Sequence, residues 1–364
     1  MSTVERPDHA AVRRGGTMRA AVLSEWNTLE VRPWPVPEPG PGEVLCRVLS
    51  CGLCGTDLKL VSGVYEGTWP PHLPFVIGHE WAGEIVELGP NVTRTDLNVG
   101  DRVVAENHGG CGTCRMCRAG RYNICARVRE PGYKLYGHTA QGALAEYAAR
   151  PEVVLHKIPD DIGDVAAALV NQAALACHGV LRTGLRPGDT AAVFGPGLVG
   201  LMTTQVARAV GAGKVIMVGR GERLALAERL GADVVVDYEQ VDPVEVILEE
   251  TGGRGADSIY ECAGNPSVVP QALDSVARGG SVALLGLAGR DAVAEIRPDR
   301  LTLDEINLMG VRSSPNAYPR TVSLFASGAI APGPLVDDTY ALTEAQDAIE
   351  ALAKRTSLRP IVLP

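Results

Sequence analysis

The sequence of 364 residues contains no apolar run of the roughly 18 residues that a membrane-spanning helix needs, so no membrane partner is expected. It also lacks any stretch that concentrates Lys and Arg. With 34 basic against 43 acidic residues the formal charge is −9, and nucleic acid is not an expected partner. Residues 1–17, MSTVERPDHAAVRRGGT, have no apolar centre between their charges, which argues against a secretory signal. The pair Arg13-Arg14 suggests a twin-arginine signal, but Gly15, Gly16 and a β-like segment follow where a continuous apolar region is required. This opening is read as a disordered tail. There is no repeat of solenoid period and no low-complexity tract. The nine cysteines are odd in number and four crowd into 111–125, which points away from a disulfide framework and toward metal binding in a reducing cytoplasm.

What is present is a folded chain of two-domain length, 46% hydrophobic and 21% charged. From Met18 to about residue 171 it is broken by Pro and Gly, as in PWPVPEPGPGE, and carries short β-rich runs such as VLCRVLSC, WAGEIVELG and DRVVAEN. Residues 172–311 read differently. Strand-like runs (TAAVF, KVIMV, DVVVD, DSIYE, SVALLG) alternate with helical ones, the order of right-handed crossovers on a parallel, doubly wound sheet. Residues 312–364 mix a helix, a Pro/Gly loop and a terminal strand, and are expected to return to the first domain.

Gly195-Pro196-Gly197-Leu198-Val199-Gly200 follows the strand TAAVF and opens a helix. The glycines permit a tight turn, close approach of backbone to pyrophosphate and close helix packing, while the helix N-terminus offers N–H donors. A dinucleotide is expected here. An NAD site usually places Asp or Glu at the end of the second strand; here Gly219 and Arg220 stand there, leaving room for a 2′-phosphate and a guanidinium to pair with it. The reading is NADP(H). The alternative is that Arg220 is a solvated loop charge and NAD binds instead, held by Glu222.

Cys111, Cys114, Cys117 and Cys125 stand at C-x2-C-x2-C-x7-C. Short CxxC spacings let two sulfurs reach one ion from a tight turn, and four thiolates close a tetrahedral shell, so a structural zinc is expected in a lobe over 108–126. An iron–sulfur cluster is the competing reading. Upstream lie Cys51-Gly52-Leu53-Cys54-Gly55-Thr56-Asp57 and Gly78-His79-Glu80.

In this order, GLCGTD, GHE, the four-cysteine lobe and GPGLVG resemble the zinc-dependent medium-chain alcohol dehydrogenases, in particular their polyol, sorbitol and threonine dehydrogenase-like branch, and the match runs from Met18 to the C-terminus. The resemblance implies an α/β protein with a GroES-like catalytic domain (18–171 and 312–364) and a Rossmann NADP-binding domain (172–311). It implies Cys54 and His79 as ligands of a second, catalytic zinc, Thr56 as the hydroxyl that shuttles the substrate proton, and Asp57 and Glu80 as acids that orient the metal site. With such a metal, an alcohol loses its proton near neutral pH and passes hydride to the nicotinamide. A homodimer or homotetramer acting on a small alcohol or ketone is implied.

Two positions depart from the family. The third zinc ligand, commonly Cys or Glu seven residues before a helical histidine (here His178), is Asn171, so Glu80 is considered as a substitute ligand. The relay histidine of the classical branch is Lys59. A zinc-free reductase of the quinone or enoyl type, and a catalytically idle NADP-binding protein on the same fold, are the competing readings. Cys46, Cys51, Cys177 and Cys262 are read as small buried residues, and His72, His108 and His138 as surface groups. Tyr65, Trp69, Arg312, Ser313 and Asn316 are candidates for the substrate pocket.

Overall fold

A computed structural model describes residues 15–289, 291–336 and 338–364. The chain separates into two compact units. One comprises the described residues up to Gly112, Ala126–Leu169 and those from Val336 onward; the other comprises Thr113–Cys125 and Val170–Leu335. Most of the expected tail, including Arg13-Arg14, lies outside the described residues, and Thr17 already belongs to the first strand, Thr17–Glu25.

The first unit is built on strands, as its Pro- and Gly-broken sequence suggests. Its larger sheet runs in the order Thr339–Ala341, Ile361–Leu363, Glu43–Gly52, Glu80–Leu88, Arg102–Ala105, Leu155–Lys157, with Tyr147–Pro151 also paired to Glu43–Gly52. Antiparallel ladders dominate it. A smaller sheet pairs Thr17–Glu25 with Thr28–Pro35 and with Phe75–Val76. Val22, Leu23, Val44, Cys46, Phe75, Trp81, Ile85 and Leu144 share one core beneath these sheets.

The second unit is the doubly wound sheet that the βα alternation calls for. Thr190–Phe194, Lys214–Gly219, Val234–Asp237, Ala256–Glu261, Val276–Leu284 and Asn307–Gly310 are all parallel and lie in the chain order 3-2-1-4-5-6. Their interior runs are apolar because both faces are covered; Ala192, Phe194, Ile216, Val218, Ile259 and Val282 lie in one core. Helix Leu198–Val210 starts from an extended Gly197 that has no side-chain cap, and it stops at Gly211, whose φ of 105° suits only glycine readily.

Two boundaries differ from expectation. The segment 312–335 stays in the second unit instead of returning to the first, and residues 113–125 of the cysteine lobe belong with it as well. Ala331 N donates to Gln205 Oε1 at 2.7 Å and Asn171 Nδ2 to Tyr318 Oη at 2.7 Å, tying 312–335 to helices of the second unit; Asn123 Nδ2 donates to the Arg312 carbonyl at 2.7 Å, Asn316 N to Tyr122 Oη at 2.8 Å and Asn316 Nδ2 to the Gly120 carbonyl at 2.8 Å, tying the lobe to that segment. Among the described residues, no helix is long and apolar enough to cross a membrane.

Candidate metal and cofactor sites

Strand register assembles the first site. In the larger sheet Gly52 stands opposite Glu80 on one side and Ile361 on the other. The residues just beyond those ends are therefore neighbours: Leu53 and Cys54 after Gly52, His79 before Glu80, and Arg359 two positions before Ile361. Cys54 caps helix Gly55–Val61, its Sγ accepting from Thr56 N at 3.3 Å while Asp57 Oδ2 accepts from Cys54 N at 2.9 Å. This reciprocal cap fixes the sulfur and the carboxylate together.

Cys54 Sγ lies 3.5 Å from His79 Nε2. Two ligands of one tetrahedral zinc, with S at about 2.3 Å and N at about 2.0–2.1 Å, stand about 3.5 Å apart, so the pair already has the spacing the ion imposes. The other ring nitrogen, Nδ1, is 3.4 Å from Asp57 Oδ1, the arrangement by which a carboxylate orients a metal-binding imidazole. Ligand atoms of Cys54, Asp57 and His79 all fall within 4.8 Å of one another. Glu80, considered as a substitute ligand, is not in that group. Its Oε1 is 3.3 Å from His79 Nε2, but its other oxygen is ion-paired with Arg359, whose Nη1 also donates to the Leu53 carbonyl at 2.6 Å. A guanidinium that is 2% exposed thus holds Glu80 in place.

The charges of this cluster suit a dication. A Cys54 thiolate with the fully buried carboxylates of Asp57 and Glu80 faces one guanidinium, which leaves about two negative charges out of water unless a cation joins them. Without metal, a proton takes part of that role. Burial works against the charged form of His79, yet Asp57 and Cys54 outweigh it and raise its pKa well above 6.5. Burial likewise lifts the Cys54 thiol and Asp57 adds to the effect, but His79 and Arg359 together hold it below 9.0. Asp57 is carried to about 2, since His79 and the Cys54 N–H overcome its burial. Metal binding would displace the His79 proton.

An aromatic chain leads to the same histidine. Tyr65 and Trp69 meet edge to face at 5.2 Å, Trp69 meets His138 at 5.2 Å, and the His138 ring lies 4.5 Å from that of His79. Of the five pocket candidates, Tyr65 and Trp69 join this ring chain, whereas Asn316 bonds the cysteine lobe through both its backbone N–H and its side chain, and Arg312 through its carbonyl. His138 is not a surface group. It is buried, its pKa is pushed down to about 3 by burial and then by His79, and its Nδ1 lies 3.3 Å from the Tyr136 carbonyl. His108 is buried too, with Nδ1 3.3 Å from Tyr133 Oη, because the chain around Tyr133–Tyr136 folds over both rings; His72 is exposed as expected. Cys46 and Cys51 are buried and raised to about 12 by that burial; Cys177 is buried, and Cys262 only partly.

The second cluster forms within the contiguous segment 111–125, where the sulfurs of Cys111, Cys114, Cys117 and Cys125 lie within 4.8 Å of one another. Cys114 caps the short helix Arg115–Arg118, its Sγ accepting from Cys117 N at 3.4 Å, and stands 4.0 Å from the Cys125 sulfur. Two sulfurs on one tetrahedral zinc are about 3.8 Å apart. All nine cysteines are free of disulfides.

In the second unit, Gly195 turns the chain with φ of 104°, and Gly200 packs its bare α-carbon against the Gly195 carbonyl, bringing the helix start at Leu198 and Val199 close under the strand end. A Cβ on Gly197 would meet nothing within 4 Å, so this backbone faces open space. At the next strand end, Arg220 Nη1 pairs with Glu239 at 2.6 Å. Asn171, in helix Val170–Thr183, donates from Nδ2 to Tyr318 Oη at 2.7 Å.

Sequence reasoning missed Arg359 and misread His138. The first had a signal, a lone arginine just ahead of the apolar strand of LRPIVLP, but only the register puts it beside Glu80. The second had none, as no motif surrounds it.

Comparison with known proteins places the chain among dehydrogenases. Residues 40–160 match the alcohol dehydrogenase GroES-like domain and residues 199–327 the zinc-binding dehydrogenase family. A sorbitol dehydrogenase of Bacillus subtilis is 35% identical over 350 residues, covering 95% of this chain and 97% of that protein. Among solved structures, a zinc-binding dehydrogenase of Sinorhizobium meliloti bound to NADP superposes with a TM-score of 0.87 at 33% identity, covering 96% of this chain and 99% of the other. An alcohol dehydrogenase of Escherichia coli CFT073 complexed with NADH does so with a TM-score of 0.86 at 26% identity, covering 96% and 100%. With two family models matching most of its length and a relative 35% identical across 95% of it, the chain belongs to the zinc-dependent medium-chain alcohol dehydrogenases, oxidoreductases acting on CH–OH groups.

Proposed function

We propose that this protein is an NADP-dependent alcohol dehydrogenase that oxidises a secondary alcohol, polyol or sugar hydroxyl, or runs the reverse reduction, with a catalytic zinc on Cys54 and His79 and a structural zinc on Cys111, Cys114, Cys117 and Cys125. The observation that carries this reading is the 3.5 Å separation of Cys54 Sγ and His79 Nε2 inside a buried cluster with excess negative charge. A zinc ion there supplies Lewis acidity that lowers the pKa of an alcohol oxygen. The chain's own residues do the rest. Asp57 holds the imidazole and the Cys54 backbone, Arg359 holds Glu80, and Thr56, anchored through its N–H to Cys54 Sγ, offers the hydroxyl that takes the substrate proton toward solvent.

In the sequence pattern, Asn171 takes the position where relatives commonly carry an anionic third zinc ligand. Its Nδ2 is committed to Tyr318, so a neutral carbonyl is what it can offer an ion. A zinc ion held by one thiolate and neutral ligands would keep a charge of about +1, and would be a stronger Lewis acid but more weakly held than with a carboxylate.

NADP is favoured by Gly219 and Arg220. The Arg220–Glu239 pair is no obstacle: both side chains are about half exposed (56% and 49%), and such pairs exchange partners readily. A phosphate offers the guanidinium two parallel bonds, which is the stronger contact.

The test is a panel of polyols, sugars and secondary alcohols assayed with NADP, before and after incubation with a chelator. Turnover with a secondary alcohol that disappears on chelation before the melting temperature falls supports the reading. Full turnover after the zinc at Cys54 has been removed would move the chemistry to Thr56 alone.

A further inference from the structure

The two strand ends that face the cofactor turn are locked together by register. Phe194 pairs with Val218, so the residues that follow, Gly195 and Pro196 on one strand and Gly219 on the next, stand side by side at the carboxyl edge of the sheet. Gly195 N closes this edge by donating to the Val218 carbonyl at 2.8 Å. A Cβ placed on Gly219 would fall against Cγ and Cδ of the Pro196 ring, well inside the 3.0 Å that real Cβ contacts respect, with Leu224 Cδ2 at 3.2 Å on another side. Leucine can turn its methyl away. A proline ring cannot, because the ring closes back on its own backbone and fixes φ.

We propose that Pro196 is a specificity-determining residue of the cofactor site: its ring fills the space from which an acidic side chain at position 219 would reach a ribose, so the glycine turn itself excludes the NAD-type arrangement. This rests on the NADP reading and extends it. Arg220 supplies attraction for a 2′-phosphate; Pro196 removes the alternative. Selectivity by exclusion complements selectivity by attraction, since discrimination is a difference between two affinities. A consequence is that the usual single exchange at the strand end does not convert this enzyme, because an aspartate at 219 must push the strand and the turn apart.

The experiment measures dissociation constants for NADP and NAD by intrinsic fluorescence or calorimetry, together with melting temperatures, in the wild type, Pro196→Ala, Gly219→Asp and the double variant Pro196→Ala/Gly219→Asp. Gly219→Asp should lose NADP by roughly tenfold or more without gaining NAD, and should melt lower. The double variant should recover the melting temperature and bind NAD roughly tenfold more tightly than the wild type. Gly219→Asp binding NAD as tightly as the double variant, at the wild-type melting temperature, would overturn the proposal. If Gly219→Asp does not fold, Gly219→Ala is compared with and without Pro196→Ala: a melting penalty confined to the chain that keeps the proline supports the proposal, and an equal penalty in both overturns it. A wild type that prefers NAD would defeat the NADP reading, while the single-against-double comparison would still decide the role of Pro196.

Discussion

The two cysteine clusters are built in opposite ways. The lobe cysteines lie within one continuous segment, 111–125, and are partly exposed; only Cys125 is buried. Short spacing alone brings their sulfurs together. The Cys54 cluster draws on three places in the chain, the ends of Glu43–Gly52, Glu80–Leu88 and Ile361–Leu363, and its carboxylates and guanidinium are almost wholly buried. A site made of thiolates alone can be closed and inert. One made of a thiolate, an imidazole and buried acids leaves coordination open for chemistry, at the cost of charges that must be balanced inside the protein.

If that contrast holds, removing a balancing charge from the Cys54 cluster should hurt more than removing one thiolate from the lobe. Arg359→Met removes the guanidinium that faces the buried Glu80 carboxylate, which costs about 3–5 kcal/mol, and Arg359→Lys should restore part of it. Thermal and urea unfolding check this, and equal stability of the methionine variant would show that Glu80 does not depend on Arg359. Cys114→Ser comes next. It should lower the melting temperature by several degrees, at about 2–4 °C for each kcal/mol lost, while the affinity for NADP changes by less than about twofold. A stable variant with weakened cofactor binding would reverse the roles assigned to the clusters.

The smallest effect concerns a histidine that belongs to neither. His178, in the helix that carries Asn171, has its pKa lowered to about 4 by burial and then by Arg182 and Arg121. Its folded-state value lies below the unfolded one near 6.5, so the unfolded chain binds more protons between the two. Its contribution is complete above about pH 6.5 and is lost as pH falls toward 4. In His178→Phe, stability measured from pH 7 to pH 4 should fall less steeply than in the wild type; an identical slope would place the acid sensitivity elsewhere.

The lobe and the glycine turn were legible because each is a local pattern: C-x2-C-x2-C-x7-C and GPGLVG fix their own geometry within a turn or two of chain. The doubly wound sheet was legible for a related reason, since the strand and helix periods alternate without interruption. What the sequence hid depends on register. Arg359 and Glu80 are paired because Ile361 and Glu80 both flank Gly52, and no spacing along the chain announces that. His138 reads as an ordinary polar residue until the segment that carries it folds against His79. The reach of the second unit through Leu335 was hidden as well, because bonds such as Ala331 N to Gln205 Oε1 and Asn171 Nδ2 to Tyr318 Oη join residues far apart in the chain.

Counting zinc in gently purified protein alongside its turnover decides whether both clusters hold metal and only one of them does chemistry. The expected result is about two zinc ions per chain in the wild type and about one in Cys54→Ser, with turnover abolished and the fold retained. A single zinc ion per chain in a fully active wild type would contradict it.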